Sequence, residues 1–197
     1  MRSSRKDTEK HRTEIIDASA RLFREKGADG VSVPELMQAV GMTHGGFYKH
    51  FPSKDELVRA AYSKAFDEVV EKLKRNAAEH DRDPTAARNA MLEGYLSATH
   101  RDSAGVGCAA AALAGDAARL DPGSPAQLAY EEGVRRMLAL LNPTQDGAEP
   151  DSESLATLST MIGALLLSRA TTGELSDAFL AAARAHLAKP SPNREEH

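Results

Sequence analysis

Residues 32–57 read SVPELMQAVGMTHGGFYKHFPSKDEL, and the punctuation of this stretch decides the fold. Ser32 stands three residues before Glu35, the spacing of a capping box, and Val33, Leu36, Met37 and Val40 follow at i, i+3, i+4 and i+7. Gly41 ends that helix after about two turns. Thr43 is placed to cap a third short helix through about His50, and Phe51-Pro52 breaks the chain again. Ser53 and Glu56 form a second capping box, opening a long helix to about Ala78. A short amphipathic helix, a glycine turn and another short helix have the dimensions of a helix-turn-helix. The second of these helices has little apolar surface beyond Phe47 and Phe51, which leaves most of it free for something outside the chain.

Upstream, apolar positions Ile15, Ile16, Ala20, Leu22 and Phe23, with Ser19 among them, repeat near 3.6 residues and predict a first helix over about Thr8 to Lys26. Gly27 and Gly30 supply its stop and the following loop. Downstream, Asp83-Pro84 starts a fifth helix, and a Gly/Ala-rich sixth spans about Gly105 to Leu120. A seventh carries Tyr130, Val134, Met137, Leu138 and Leu141. After a loop over Asn142 to Asp151, an eighth carries Leu155, Leu158, Ile162 and Leu165 to Leu167. A ninth, capped by Ser176, carries Phe179, Leu180, Ala183 and Leu187. No strand-period segment and no internal repeat interrupts the pattern. The expectation is an all-α chain of about nine helices. Its divisions are an arm and helix-turn-helix domain over 1–53, a helical domain over 54–189, and a disordered tail over 190–197.

Composition agrees with an ordinary globular protein. Of 197 residues, 41% are hydrophobic, 27% charged and only 5% aromatic, with no tryptophan. Net charge is −4, yet residues 1–60 carry 11 basic and 9 acidic side chains while the remainder carries 14 and 20. A basic first segment on an acidic body suits a small DNA-facing module. No segment approaches the roughly 18 consecutive apolar residues that cross a bilayer. The basic, polar N-terminus is no secretory signal, and the single cysteine, Cys108, fits a reducing cytoplasm. The expected location is therefore the cytoplasm.

At Leu36, Val40-Gly41, Thr43, Gly45, Phe47, Tyr48, His50, Phe51, Ser53-Lys54 and Leu57 the sequence resembles the TetR family of bacterial regulators, in order and spacing. Ile15-Ile16, Ala18, Leu22-Phe23, Gly27, Ser32 and Val33 extend the resemblance upstream, and it covers about residues 10 to 60. It implies an all-helical homodimer. Thr43, His44, Gly45 and Gly46 would face the major groove of double-stranded DNA at a palindromic operator. Ser32, Tyr48, Lys49 and Lys54 would hold phosphates. Two consecutive glycines leave few side chains to read bases, so His44 and Lys49 carry much of any direct readout. Shape, or the arm with Arg2, Arg5, Lys6, Lys10 and Arg12, supplies the rest. A solvated, disordered tail is the competing reading of that arm.

The acidic body is expected to dimerise through the last two long helices, where Gly163, Ala164, Ala181, Ala182 and Ala185 allow close approach. Their faces serving as internal core is the alternative. A small-molecule effector pocket is expected among helices four to eight, with Tyr62, Phe66, Met91, Tyr95, His100, Cys108, Met137 and Arg169 as candidates by position. Cys108 near a helix start is either a small buried hydrophobe or an oxidant-sensing thiol. No cofactor, metal site or enzyme activity is expected. The chain has no phosphate-binding glycine loop, no G-x-S-x-G and no H-E-x-x-H, and its seven histidines include no i, i+4 pair.

Overall fold

The computed structural model describes residues 5–79, 83–141 and 149–188. Arg2, most of the Asn142–Asp151 loop and the 190–197 tail fall outside them. The described chain is helical: α1 (Arg5–Lys26), α2 (Val33–Ala39), a 3-10 helix (His44–Lys49), α3 (Lys54–Ala78), α4 (Pro84–Tyr95) and α5 (Ala98–Asp102). A 3-10 turn (Ala104–Val106) comes next, then α6 (Ala109–Ala117), α7 (Pro125–Leu141), α8 (Ser152–Ala170) and α9 (Gly173–Leu187). The expected all-α fold is what the sequence builds, and the described residues contain no strand.

Four elements differ in detail from expectation. α1 begins at Arg5 rather than Thr8, so Lys6, Lys10 and Arg12 ride on a helix whose first turn carries Asp7. The predicted sixth helix is broken after the 3-10 turn, with Cys108 as the N-cap of the remaining α6. α5 is an additional short helix capped by Ser97, whose hydroxyl accepts from the His100 amide and donates to the Gly94 carbonyl. Ser176, expected as the cap of α9, is instead buried inside its first turns. It accepts from Arg101 and donates to the Ser168 carbonyl at 2.6 Å. Thr172 holds the cap position without a side-chain bond to the helix amides.

The chain packs as two compact units. One comprises Met1–Val69 with Ala104–Arg136, the other Val70–Ser103 with Met137–His197. The boundaries fall inside α3 and α7, whereas the sequence division at 53/54 marks where the motif ends. In the first unit Ile15, Phe23, Leu36, Met37, Phe47, Phe51, Leu57, Tyr62 and Phe66 are sealed from solvent. Burying each such side chain contributes about 1.5–3 kcal/mol. Arg24 of α1 is buried too, and its guanidinium reaches the Ala65 carbonyl and the Glu68 carboxylate, at 2.6 Å, on α3. That pairing matters because a buried guanidinium without a counter-charge costs several kcal/mol. Asp116 of α6 accepts from the Ala28 amide at 2.7 Å and so ties α6 to the turn between α1 and α2. Phe66 meets Tyr130 edge to face, with centroids 5.4 Å apart, and lies so close on α7 that a Cβ at position 133 would overlap its ring carbons. Only glycine fits there.

In the second unit α8 lies along α9, and Leu158, Met161, Leu165, Leu180 and Leu187 are buried. Arg88 donates to the Leu187 carbonyl at the end of α9. Arg169 donates to the carbonyls of His100 and Arg101 at 3.0 Å each, which fixes α5 on α8.

Candidate nucleic-acid interface

The reader is built from its caps outward. Ser32 is extended at φ −84°, ψ 155°, and its hydroxyl oxygen accepts from the Glu35 amide at 3.3 Å. The reciprocal half of the capping box is not made. The Glu35 carboxylate turns to Lys26 at 2.5 Å, and that bond holds its pKa below the usual carboxylate value. Gly41, at φ +70°, then reverses the chain, returning its own amide and that of Met42 to the carbonyls of Gln38 and Met37.

The next segment is a 3-10 helix rather than the expected α-helical one. Its bonds run from Gly46 to Thr43 and from His50 to Phe47 at 2.9 Å, the i to i+3 pattern. Two glycines in the first turn weaken α-helix propensity, which explains the tighter winding. One side chain of this helix, Phe47, is buried, stacked on Phe51 with centroids 5.7 Å apart. Thr43, His44, Gly45, Tyr48 and Lys49 are exposed, Tyr48 to 66%. His44 and Tyr48 meet edge to face, 6.4 Å between centroids, so the structure brings these two predicted contacts onto one surface. Lys54 opens α3 behind them, where the Ser53 hydroxyl accepts from the Glu56 amide at 3.2 Å. Ser32 is exposed, and its hydroxyl oxygen is engaged in the cap. The surface is cationic and hydroxylic, the chemistry that phosphate oxygens take.

Sequence reading gave His50 only as part of the resemblance and did not place His11 beside it. The His50 ring is half-buried, its Nδ1 has no hydrogen-bond partner, and it packs edge to face on His11 at 6.1 Å. Arg12 lies 4.9 Å above the Phe51 ring. No local spacing signals these contacts, since α1 and the reader are some 40 residues apart in the chain.

The predicted effector contacts separate into two groups. Tyr62, Phe66 and Cys108 belong to the first unit and are buried. The Tyr62 hydroxyl has no partner, and burial, with Asp116 adding to it, pushes its pKa far up. Met91, Tyr95, His100, Met137 and Arg169 belong to the second. There Tyr95 and His100 meet at 4.7 Å, and His100 Nδ1 lies 2.7 Å from the Tyr95 carbonyl, so Nδ1 carries the proton. A groove of about 300 Å³ in the first unit is lined by Ala114, Ala117, Ala118, Tyr130 and Val134, among others, and by none of the predicted residues. A polar cavity of about 370 Å³ in the second includes Arg169 alone of them. Among the described residues no cluster of three or more His, Cys, Asp or Glu is placed to hold a metal ion. None of the described helices is long and apolar enough to cross a membrane.

The fold and this surface have the dimensions of a helix-turn-helix module. Residues 15–61 match the sequence profile of the bacterial regulatory proteins, tetR family. Over this segment the chain is similar to that family. The HTH-type transcriptional regulator AcrR of Shigella flexneri is 26% identical over 98 residues, 50% of this chain and 46% of that one. The chain thus spans about half the length of this relative. A TetR transcriptional regulator from Chloroflexus aurantiacus has the same fold, with a TM-score of 0.75 at 23% identity over 93% of this chain and 94% of that one. AibR, solved with isovaleryl coenzyme A and operator DNA, gives 0.63 at 19% identity over 91% and 99%.

Proposed function

We propose that this chain is a sequence-specific transcriptional regulator, a homodimer that grips a palindromic operator and is released from it by a small-molecule effector. One observation carries the reading: a helix anchored by Phe47 alone exposes Thr43, His44, Gly45, Tyr48 and Lys49 together. A folding role accounts for Phe47 and leaves the other five without a task. In the bound state the 3-10 helix enters the major groove, with Thr43, His44, Gly45 and Gly46 toward the bases. Ser32, Tyr48, Lys49 and Lys54 bond phosphates, and two protomers reach half-sites about 34 Å apart, or a multiple of that.

Dimerisation is assigned to α8 and α9. Leu155, Leu166, Leu167 and Leu175 are about half exposed there, beside exposed Ala181, Ala182 and Ala185. A second copy of the same surface covers them in a four-helix interface. Ala164 is buried and belongs to the protomer's own core. The effector acts through α3, which continues from Lys54 to Ala78, and through Asp116, which holds the Ala28 amide. A ligand that favours the mis-spaced arrangement of the two readers weakens operator binding by about 1–3 kcal/mol. Regulation without catalysis is the reading; AibR, which has the same fold, is solved with both a small molecule and operator DNA.

Selection of duplexes from a random pool at near-physiological salt tests the proposal. A palindromic motif, bound by the parent and lost in Tyr48→Ala and Lys54→Ala, is expected. Recovery of featureless DNA alone refutes it. Leu167→Glu with Leu175→Glu is expected to halve the sedimenting mass and to abolish tight binding to the palindrome.

A further inference from the structure

Two imidazoles stand beside the proposed DNA surface without a part in base or phosphate contacts. His50 follows Lys49 directly, at the end of the 3-10 helix, and its ring edge meets His11 of α1. Nδ1 of His50 is buried and has no hydrogen-bond partner. The charges that act on this ring are all positive: His11 and Arg12 from α1 and Lys49 from its own segment. Acids on the surrounding elements have other partners. Glu14 on α1 pairs with Lys10, Asp17 with Lys64, Glu35 on α2 with Lys26, and Glu56 on α3 with Arg59. Asp7 and Glu9 near the start of α1 and Asp55 at the start of α3 are exposed. Among the described residues, the charges that act on His50 are thus cationic or protonatable, while Arg12 also acts on the Glu56 carboxylate at the start of α3.

Such a cluster is incomplete by itself. In the free protein burial first, then repulsion from His11, Lys49 and Arg12, holds the His50 pKa below its usual value. A phosphate seated on Tyr48 and Lys49 brings negative charge to the same spot and reverses the field. We propose that His50, packed edge to face on His11 with its Nδ1 buried and unpartnered, takes up a proton as the module closes on a DNA phosphate, so that operator affinity rises as pH falls below neutrality. The inference rests on the DNA-binding reading above. The proton comes from solvent and settles on an imidazole nitrogen; no covalent bond changes. Uptake of one proton per protomer gives an upper slope of about tenfold in affinity per pH unit for each protomer engaged.

The test uses the full chain and a duplex recovered by selection from the random pool. Binding is measured at constant ionic strength from about pH 5 to 8, where histidine changes charge. Parent protein is compared with His50→Gln, His11→Gln and His44→Gln. Affinity of the parent is expected to climb toward low pH. That slope flattens in His50→Gln and falls in His11→Gln, while His44→Gln, at a base-facing position, is expected to weaken binding at every pH without removing the slope. Calorimetry in two buffers of different ionisation enthalpy reads the same protons directly. A slope unchanged in both His50→Gln and His11→Gln, or abolished by His44→Gln alone, overturns the inference. If His50→Gln does not fold, His11→Gln decides by itself, because His11 sits only partly covered on a helix face. Equal affinity at every pH overturns it too and leaves the DNA reading standing. Failure to recover any duplex removes both.

Discussion

Gly45 is the position where the needs of the fold and of DNA separate most cleanly. A Cβ built there meets no atom within 4 Å, and its backbone is not in the left-handed region. Nothing inside the chain requires glycine. Replacing it by alanine removes conformations from the unfolded chain and is expected to stabilise the protein by about 0.4–1 kcal/mol. For a chain of this length that raises Tm by about 1–4 °C. Gly41 is the control: it also has open space, but its φ of +70° makes Gly41→Ala a strained substitution that lowers Tm. On DNA the order reverses. If the Gly45 backbone closes on the groove floor, a methyl group there overpacks the interface at about 1–3 kcal/mol. That corresponds to roughly a 5- to 150-fold rise in Kd. Thermal melts and fluorescence anisotropy with a selected duplex measure the two effects on one sample. A Gly45→Ala protein that melts higher and binds unchanged refutes the placement of Gly45 at the groove. One that melts lower refutes the reasoning about open space.

Packing and charge yield further expectations. Gly133→Ala drives a methyl into the Phe66 ring and is expected to lose at least about 1–3 kcal/mol in urea melts, with Phe66→Leu restoring part; an unchanged midpoint contradicts the close packing. Asp116→Ala leaves the Ala28 amide without its carboxylate at a cost of about 1–3 kcal/mol. Hydrogen exchange at Ala28 should accelerate in that variant, less so in Asp116→Asn, and equal rates in all three proteins would dismiss the tether. His50 and His100 both have pKa values lowered in the fold from 6.5, burial being the first cause of each. Their neutral forms are favoured in the folded state, so their contribution to stability is present above about pH 6.5 and lost as pH falls below it. Urea midpoints of the DNA-free protein are expected to drop on acidification, opposite to the expected trend in DNA affinity. A midpoint that rises instead contradicts the sign.

The helices and their ends are legible in the sequence because caps are local. Ser32, Ser53 and Asp83 each meet an amide two or three residues on, a relation that spacing alone encodes. The short third helix is legible for the complementary reason, that only Phe47 of it joins the core. Where partners come from far along the chain, spacing carries no signal. Ser176 looks like a cap until Arg101, 75 residues away, takes its hydroxyl. The His11–His50 contact and the buried Arg24–Glu68 pair depend likewise on how α1 meets the reader and α3. The effector candidates, chosen by position along helices, include one residue on a described cavity, Arg169, because concavity is a property of packing rather than of sequence. The winding of the third helix turns on Gly45 and Gly46, which in the bare sequence signify a loss of base contacts rather than a tighter turn.

The single anchor of the reader has an evolutionary corollary. Folding constrains Phe47 and leaves Thr43, His44, Gly45 and Lys49 to be exchanged with little cost to the core. If these residues face an operator as proposed, operator preference can drift by point substitution while stability stays level, so new targets can be reached without passing through an unfolded intermediate.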